Sequence, residues 1–211
     1  MVDGASGGHH EIYLRVFVKI LLEAEYRVSV FCPAPEELIA WAEKNIQSEC
    51  PQFEANYFTD WTPPWFWGHL PGRIRYGFMS AARWFHISQT IRSKLKSANK
   101  PDLVFFAWLD DYLHGRHSVR LIDWIFPFNW SGLHFHPRSY RSQKTQGAST
   151  TGRFLMAPEE LITHSRYSRG IAILDAGISS LLNSELQGKK VFVFPDFTDE
   201  MHHLGTPTIL S

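Results

Sequence analysis

Residues 103–108, Leu-Val-Phe-Phe-Ala-Trp, decide the fold class. The run follows a Pro101-Asp102 turn, is apolar throughout, and has the length of a strand rather than a helix. A strand that is apolar on both sides must be covered on both faces, as in parallel sheets flanked by helices. Outward from it, the alternation continues. On the C-terminal side, a helix at 119–126 is followed by a strand at 130–135, a helix at 158–161, a strand at 170–174, a helix at 178–186 and a strand at 190–194. On the N-terminal side, Arg27–Cys32 reads as a strand rich in β-branched and aromatic residues, and 35–49 reads as a helix with Leu38, Ile39, Ala42 and Ile46 on one side. A short strand follows at 53–58. The first helix starts near His9 or His10, where Ile12, Val16 and Ile20 recur every four residues beside Tyr13, Phe17 and Leu21; apolar on so much of its circumference, it is expected to be buried.

Helices between successive strands imply right-handed crossovers and an open, mostly parallel α/β sheet of the Rossmann-like, three-layer kind. In such sheets the chain normally opens with a central strand leading into a glycine-rich turn. Here only Met1–Asp3 precede the glycines, so the first strand is expected to be truncated, either a stub or the end of a strand that starts upstream. Loss of ladder partners beside it would lower stability or favour association, because unsatisfied buried backbone groups cost about 1–3 kcal/mol each.

Composition narrows the class. The 211 residues carry 21 basic and 21 acidic side chains, 44% hydrophobic residues and only 2 cysteines, Cys32 and Cys50. Such a chain can bury a core, has too few thiols for a disulfide framework, and lacks an apolar run of membrane-spanning length. A cytoplasmic location is expected. The neutral total hides one asymmetry. Between Asp60 and Asp102 there is no acidic residue, whereas Arg73, Arg75, Arg83, Arg92, Lys94, Lys96 and Lys100 are basic, and four of the 8 Trp, including Trp61, Trp65 and Trp67, lie there. Aromatic and basic residues together suit a water–lipid boundary. Trp61, Trp65, Trp67, Arg73, Arg75 and Arg83 are therefore candidates for an anionic membrane surface at the inner face of the membrane, or for an acceptor groove. A local core with a solvated basic face would give the same letters. In either case Ile74, Phe78, Ala81 and Phe85 share a helix face expected to pack on the sheet. No nucleic-acid recognition module is visible.

Three segments carry candidate chemistry. In GASGGHHE, Gly7 and Gly8 would let backbone N–H groups approach an anion at a helix N-terminus, or would simply make a tight turn. In LHFHPR, His134 and His136 alternate around Phe135 at a strand end and would share one face; an H-x-H pair lacks the further ligands of a zinc site, so no metal is expected. In LDDYLHG, Asp110 and Asp111 stand at another strand end, to bind hydroxyls or to cap a helix.

Taken together, DGASGGHHE before a buried helix, LHFHP, IAILDAGI and VFVFPDFTDE resemble the N-terminal, acceptor-side domain of GT-B glycosyltransferases, especially the retaining, glycogen-synthase-like group 1 family. The resemblance implies that residues 1–200 form this Rossmann-like domain and that 201–211 begin an interdomain linker or a tail. The C-terminal donor-binding domain has no counterpart in these residues. It further implies transfer of a hexose-like unit from a nucleotide sugar, as co-substrate, to a glycan or lipid-linked acceptor, with no other cofactor and with no activity until a donor-binding domain or a separate chain completes the site. His9, His10 and Glu11 would then bind substrate hydroxyls beside Gly7 and Gly8, with Asp110 and Asp111 on the same edge, and His134 or His136 would stand near the transferred sugar. The polar stretch 138–153 has the profile of a lid or of a solvated insertion. A non-catalytic carbohydrate- or partner-binding module is the alternative, and a nucleotide-binding α/β protein of other chemistry is the third reading.

Overall fold

The computed structural model describes residues 1–4, 9–46, 52–64, 72–95, 100–113, 118–135, 158–174, 182, 186 and 188–194. The expected alternation is present: α1 (His9–Glu23), β1 (Val28–Cys32), α2 (Pro35–Asn45), β2 (Phe53–Tyr57), α3 (Gly72–Lys94), β3 (Val104–Phe106), α4 (Val119–Ile125), β4 (Trp130–His134), α5 (Pro158–His164), β5 (Ile171–Ile173) and β6 (Val191–Val193). The helix read at 178–186 lies outside the described residues except for Leu182 and Leu186.

Strands pair in the orders β1-β2 and β3-β4-β5-β6, parallel throughout. Val2 joins the two groups. It bridges Phe31 on one side and Phe106 on the other, both in parallel. Val2 N donates to Phe105 O (2.9 Å), Ala107 N to Val2 O (3.0 Å), Phe31 N to Met1 O (2.9 Å) and Asp3 N to Phe31 O (3.0 Å). The residues before the glycine segment thus form the stub at the centre of the sheet, and both neighbours find hydrogen-bond partners on it. The Met1 amine is buried, donates to Ser29 O (2.5 Å), and has its pKa pushed down to about 5 by that burial.

Side chains alternate across the sheet and feed two cores. On one face, Val104, Phe106, Trp130, Ile171 and Ile173 meet α3, α4 and α5 through Trp84, Ile87, Ile91, Ile122, Leu161 and Ile162. On the other, Val30, Cys32, Ala107 and Leu133 meet α1 and α2 through Tyr13, Leu14, Val18, Leu22 and Leu38. The result is a three-layer Rossmann-like α/β domain. Trp84, fully buried, is the aromatic hub: its ring lies 5.0–5.5 Å from those of Phe106, Tyr112, Phe126 and Trp130. Each well-placed aromatic pair adds about 0.5–1.5 kcal/mol beyond area burial. Local chemistry sets the element ends. Pro35 occupies the first turn of α2, where its missing N–H costs nothing, and Ser118 Oγ accepts from Leu121 N at the start of α4. Gly170 enters β5 at φ +113, where a Cβ would stand 2.1 Å from Lys190 O.

Two sequence expectations are corrected. The face of α3 that packs on the sheet carries Ser80, Trp84, Ile87, Ser88 and Ile91, with Ala81 packed against the same core as expected, whereas Phe78 and Phe85 are 59% and 51% exposed and the Ile74 side chain lies outside the described residues. The buried stripe contains two serines, whose hydroxyls donate to Tyr112 O (3.2 Å) and Ile125 O (2.7 Å). An apolar periodicity therefore misses it. In α1, Tyr13, Leu14, Phe17, Val18 and Leu22 are buried but Ile12 and Ile20 are exposed, so the helix covers the sheet with one broad face only.

Candidate functional site

Strand order reverses between the Val2 stub and β3, and open α/β sheets place ligands outside the strand carboxyl ends at such a point. Asp3 and Gly4 leave the stub there, Trp108 to Tyr112 leave β3, and Phe135 leaves β4. His10, in the first turn of α1, faces them. Its Nδ1 is 3.3 Å from Asp3 Oδ1, and Asp3 is buried. The hydrogen bond to Asp3 raises the His10 pKa above 6.5 against the cost of burial, with the charges of Asp3, Asp111 and Asp110 adding to it.

The His10 ring stacks on Trp108 (centroids 3.9 Å apart, 27° between planes), and Trp108 stacks in turn on Phe135 (3.9 Å, 22°). Tyr13 meets Phe135 edge-on at 5.0 Å. This ladder of rings ties α1 to the ends of β3 and β4 and fixes the imidazole in position, because planar aromatic contacts leave few alternative rotamers.

A second group borders it. Tyr112 OH donates to Asp60 Oδ1 (3.1 Å), and Gly4 passes so close that a Cβ there would stand 2.5 Å from the same oxygen. Burial raises the Asp60 pKa, opposed by Arg83 and by the Tyr112 hydrogen bond; burial and Asp60 push the Tyr112 phenol well above 10. Arg83 reaches over from α3, donating to Asp111 O (2.7 Å) with its Nη1 4.0 Å from Asp111 Oδ1. Trp84 Nε1 and Ser80 Oγ both donate to Tyr112 O, so α3 anchors the turn that carries these groups.

The residues proposed from sequence fall into distinct places. His10 is at the centre, and Asp111 and Arg83 border it. Glu11 turns along the helix and accepts from Arg15. Asp110 is buried, accepts from Phe135 N through Oδ2 (2.8 Å), and lies 3.3 Å from His134 Nδ1 through Oδ1. His134 is only 5% exposed, and its Nδ1 has no aligned hydrogen bond among the described residues. The Asp110–His134 pair thus braces β3 against β4 beneath the edge. Trp61 is half-buried and Arg75 is partly exposed. Gly7, Gly8, His136, Trp65, Trp67, the 138–153 stretch, Cys50 and 195–211 lie outside the described residues, as do the side chains of His9 and Arg73. Among the described residues, no three His, Cys, Asp or Glu side chains are grouped to hold a metal ion.

Asp3, Tyr13, Asp60, Trp108, Tyr112 and Phe135 were not singled out from sequence. Asp3, Trp108 and Phe135 are the residues that follow the last paired residue of a strand or stand just beyond it, and that position on a parallel sheet was the available signal. Nothing in the letters indicates that their rings and carboxylate meet His10.

No protein-family model matches the chain, and no curated protein sequence matches it. Among solved structures it is similar to Arabidopsis thaliana UGT89C1 complexed with UDP, at 13% identity and a TM-score of 0.48, with 93% of this chain and 48% of that one covered. The chain therefore spans about half the length of that protein.

Proposed function

We propose that this chain forms the acceptor-side domain of a glycosyltransferase, which passes a sugar from a nucleotide-sugar donor to a glycan or lipid-linked acceptor. The observation that carries the reading is the His10–Asp3 pair, stacked on Trp108 at the carboxyl edge of a Rossmann-like sheet. The motifs DGASGGHHE, LHFHP and VFVFPDFTDE support it through their resemblance to GT-B enzymes. Nucleotide is bound mainly by a second, donor-binding domain or a separate completing chain, and the donor is the only small-molecule co-substrate.

In this reading Asp3 holds Nδ1 of His10 and presents Nε2 to the acceptor. The acceptor oxygen forms a bond to the anomeric carbon as the bond from that carbon to the diphosphate breaks; the hydroxyl proton passes to Nε2 and the nucleoside diphosphate departs. A positioned base of this kind is worth about 10²–10⁴ in rate, and holding donor and acceptor together supplies more. A base on the acceptor serves a single displacement with inversion, so the pair favours inversion over the retention that the group 1 resemblance implies. His10 must be neutral to accept the proton. Transfer should therefore rise as pH increases through its elevated pKa.

Saturation-transfer NMR of the purified chain with a panel of neutral oligosaccharides and nucleotide sugars tests the reading. Transfer to acceptor sugar protons is expected, weakened by Trp108→Leu, with no turnover by the 211-residue chain alone. Nucleotide binding without any sugar signal would replace it with a nucleotide-binding protein of other chemistry. Sugar binding with no transfer when a donor-binding domain is supplied would make the chain a carbohydrate-binding module, and a transfer rate unaffected by His10→Gln would remove His10 as the base.

A further inference from the structure

The side of α3 that points away from the core has a composition the acceptor site does not use. Its 23 residues include five basic side chains and no acidic one. At 3.6 residues per turn, Phe78 and Phe85 fall within about 20° of one another, roughly opposite Ile87 and turned about 100–140° away from Trp84 and Ile91. Both phenylalanines are more than half exposed. Gln89 and Arg92 continue the stripe as exposed residues, and Arg75 flanks it. Arg92 stacks over the Phe128 ring at 5.9 Å, which leaves its charge at the surface. An ordinary surface helix puts mixed charges on this side. Here aromatic rings stand in an acid-free row of cations, and that pairing matches the boundary of an anionic bilayer: rings enter the acyl region while guanidinium groups meet the headgroups.

We propose that the outer face of α3 is a membrane-docking surface for anionic lipid, with Phe78 and Phe85 as the inserted residues and Arg75 and Arg92 as the headgroup contacts. This surface is independent of glycosyl transfer, since α3 alone builds it and neither donor nor acceptor contributes to it. Arg83 belongs to the carboxyl edge, donating to Asp111 O, so it takes no part.

Vesicle flotation of the whole chain provides the test, with phosphatidylcholine:phosphatidylglycerol (3:1) against phosphatidylcholine alone. Binding is expected to the anionic vesicles only, to fall as salt is raised from 50 to 500 mM, to drop about five-fold for each of Arg75→Gln and Arg92→Gln, and to drop at least tenfold for Phe78→Ser/Phe85→Ser. The double variant should melt like the parent, because both rings are exposed. Absence of flotation at low salt overturns the proposal, as does undiminished binding by the double variant. Concentration-dependent self-association that the double variant abolishes, without lipid binding, would overturn it in favour of a protein interface.

Discussion

Trp84 and Phe85 are neighbours in α3 and meet opposite environments: the indole is fully enclosed by four aromatic rings, and the phenyl is half in solvent. Both are large and apolar, and each lies on a stripe of its helix. The inner stripe is completed by buried serines that satisfy carbonyls, the outer one by arginine and glutamine. The difference teaches that hydrophobicity alone does not assign a helix face; the polar residues interleaved with it do.

The comparison is sharpened first by truncation. Trp84→Ala should cost about 3–5 kcal/mol in urea unfolding, since it opens a cavity and removes a donor from Tyr112 O. A cost near that of a surface site would show that the aromatic hub is not the core of this face. Charge provides the next contrast, between the buried Met1 amine and His10. The amine pKa is about 5 in the folded chain against 8.0 unfolded, so the unfolded chain binds more protons between those values. Stability from this group rises with pH across that window, by a total on the order of 4 kcal/mol. The raised pKa of His10 acts with the opposite sign: its contribution is full below 6.5 and is lost as pH rises through the folded pKa. Denaturation midpoints measured from pH 5 to 8 should therefore climb, and climb more steeply in Asp3→Asn, which removes only the opposing part. A flat profile in both would contradict the buried amine.

Smaller effects follow. Gly170→Ala should cost roughly 1–3 kcal/mol, because the positive φ and the nearby Lys190 carbonyl leave no room for a methyl group. Phe85→Ser should change unfolding free energy by less than about 0.5 kcal/mol, as surface substitutions do. A large loss there would place Phe85 in a contact and break the distinction between the two faces.

The middle of the sheet was legible because β1 and β3 are short, largely apolar runs bounded by turn signals; Leu103–Trp108 and Arg27–Cys32 place β3 and β1 to within two residues at either end. The place of Met1–Asp3 was legible too, since a glycine segment leading into a buried helix follows a central strand in such sheets, and Val2 bridges Phe31 and Phe106 there. Helix facing was harder. Ser80 and Ser88 interrupt the buried stripe of α3, so Phe78 and Phe85 presented the more regular pattern. The candidate site was legible in part. His10 follows from its place at the start of α1, whereas its carboxylate Asp3 and its aromatic supports Trp108 and Phe135 lie on three strand ends that only the strand order brings together. His134 was read as a strand-end group facing substrate, but the turn after β3 carries Asp110 back over it.

The central claim is that an acceptor sugar binds beside the imidazole held by Asp3 and Trp108. An imidazole-detected ¹H–¹⁵N NMR titration of the chain with the oligosaccharide that gives the strongest saturation transfer tests it most directly. The account predicts a free-state His10 pKa above 6.5 and a saturable shift of the His10 resonances, with both lost in Asp3→Asn. Binding of the same sugar with the His10 resonances unmoved would contradict it.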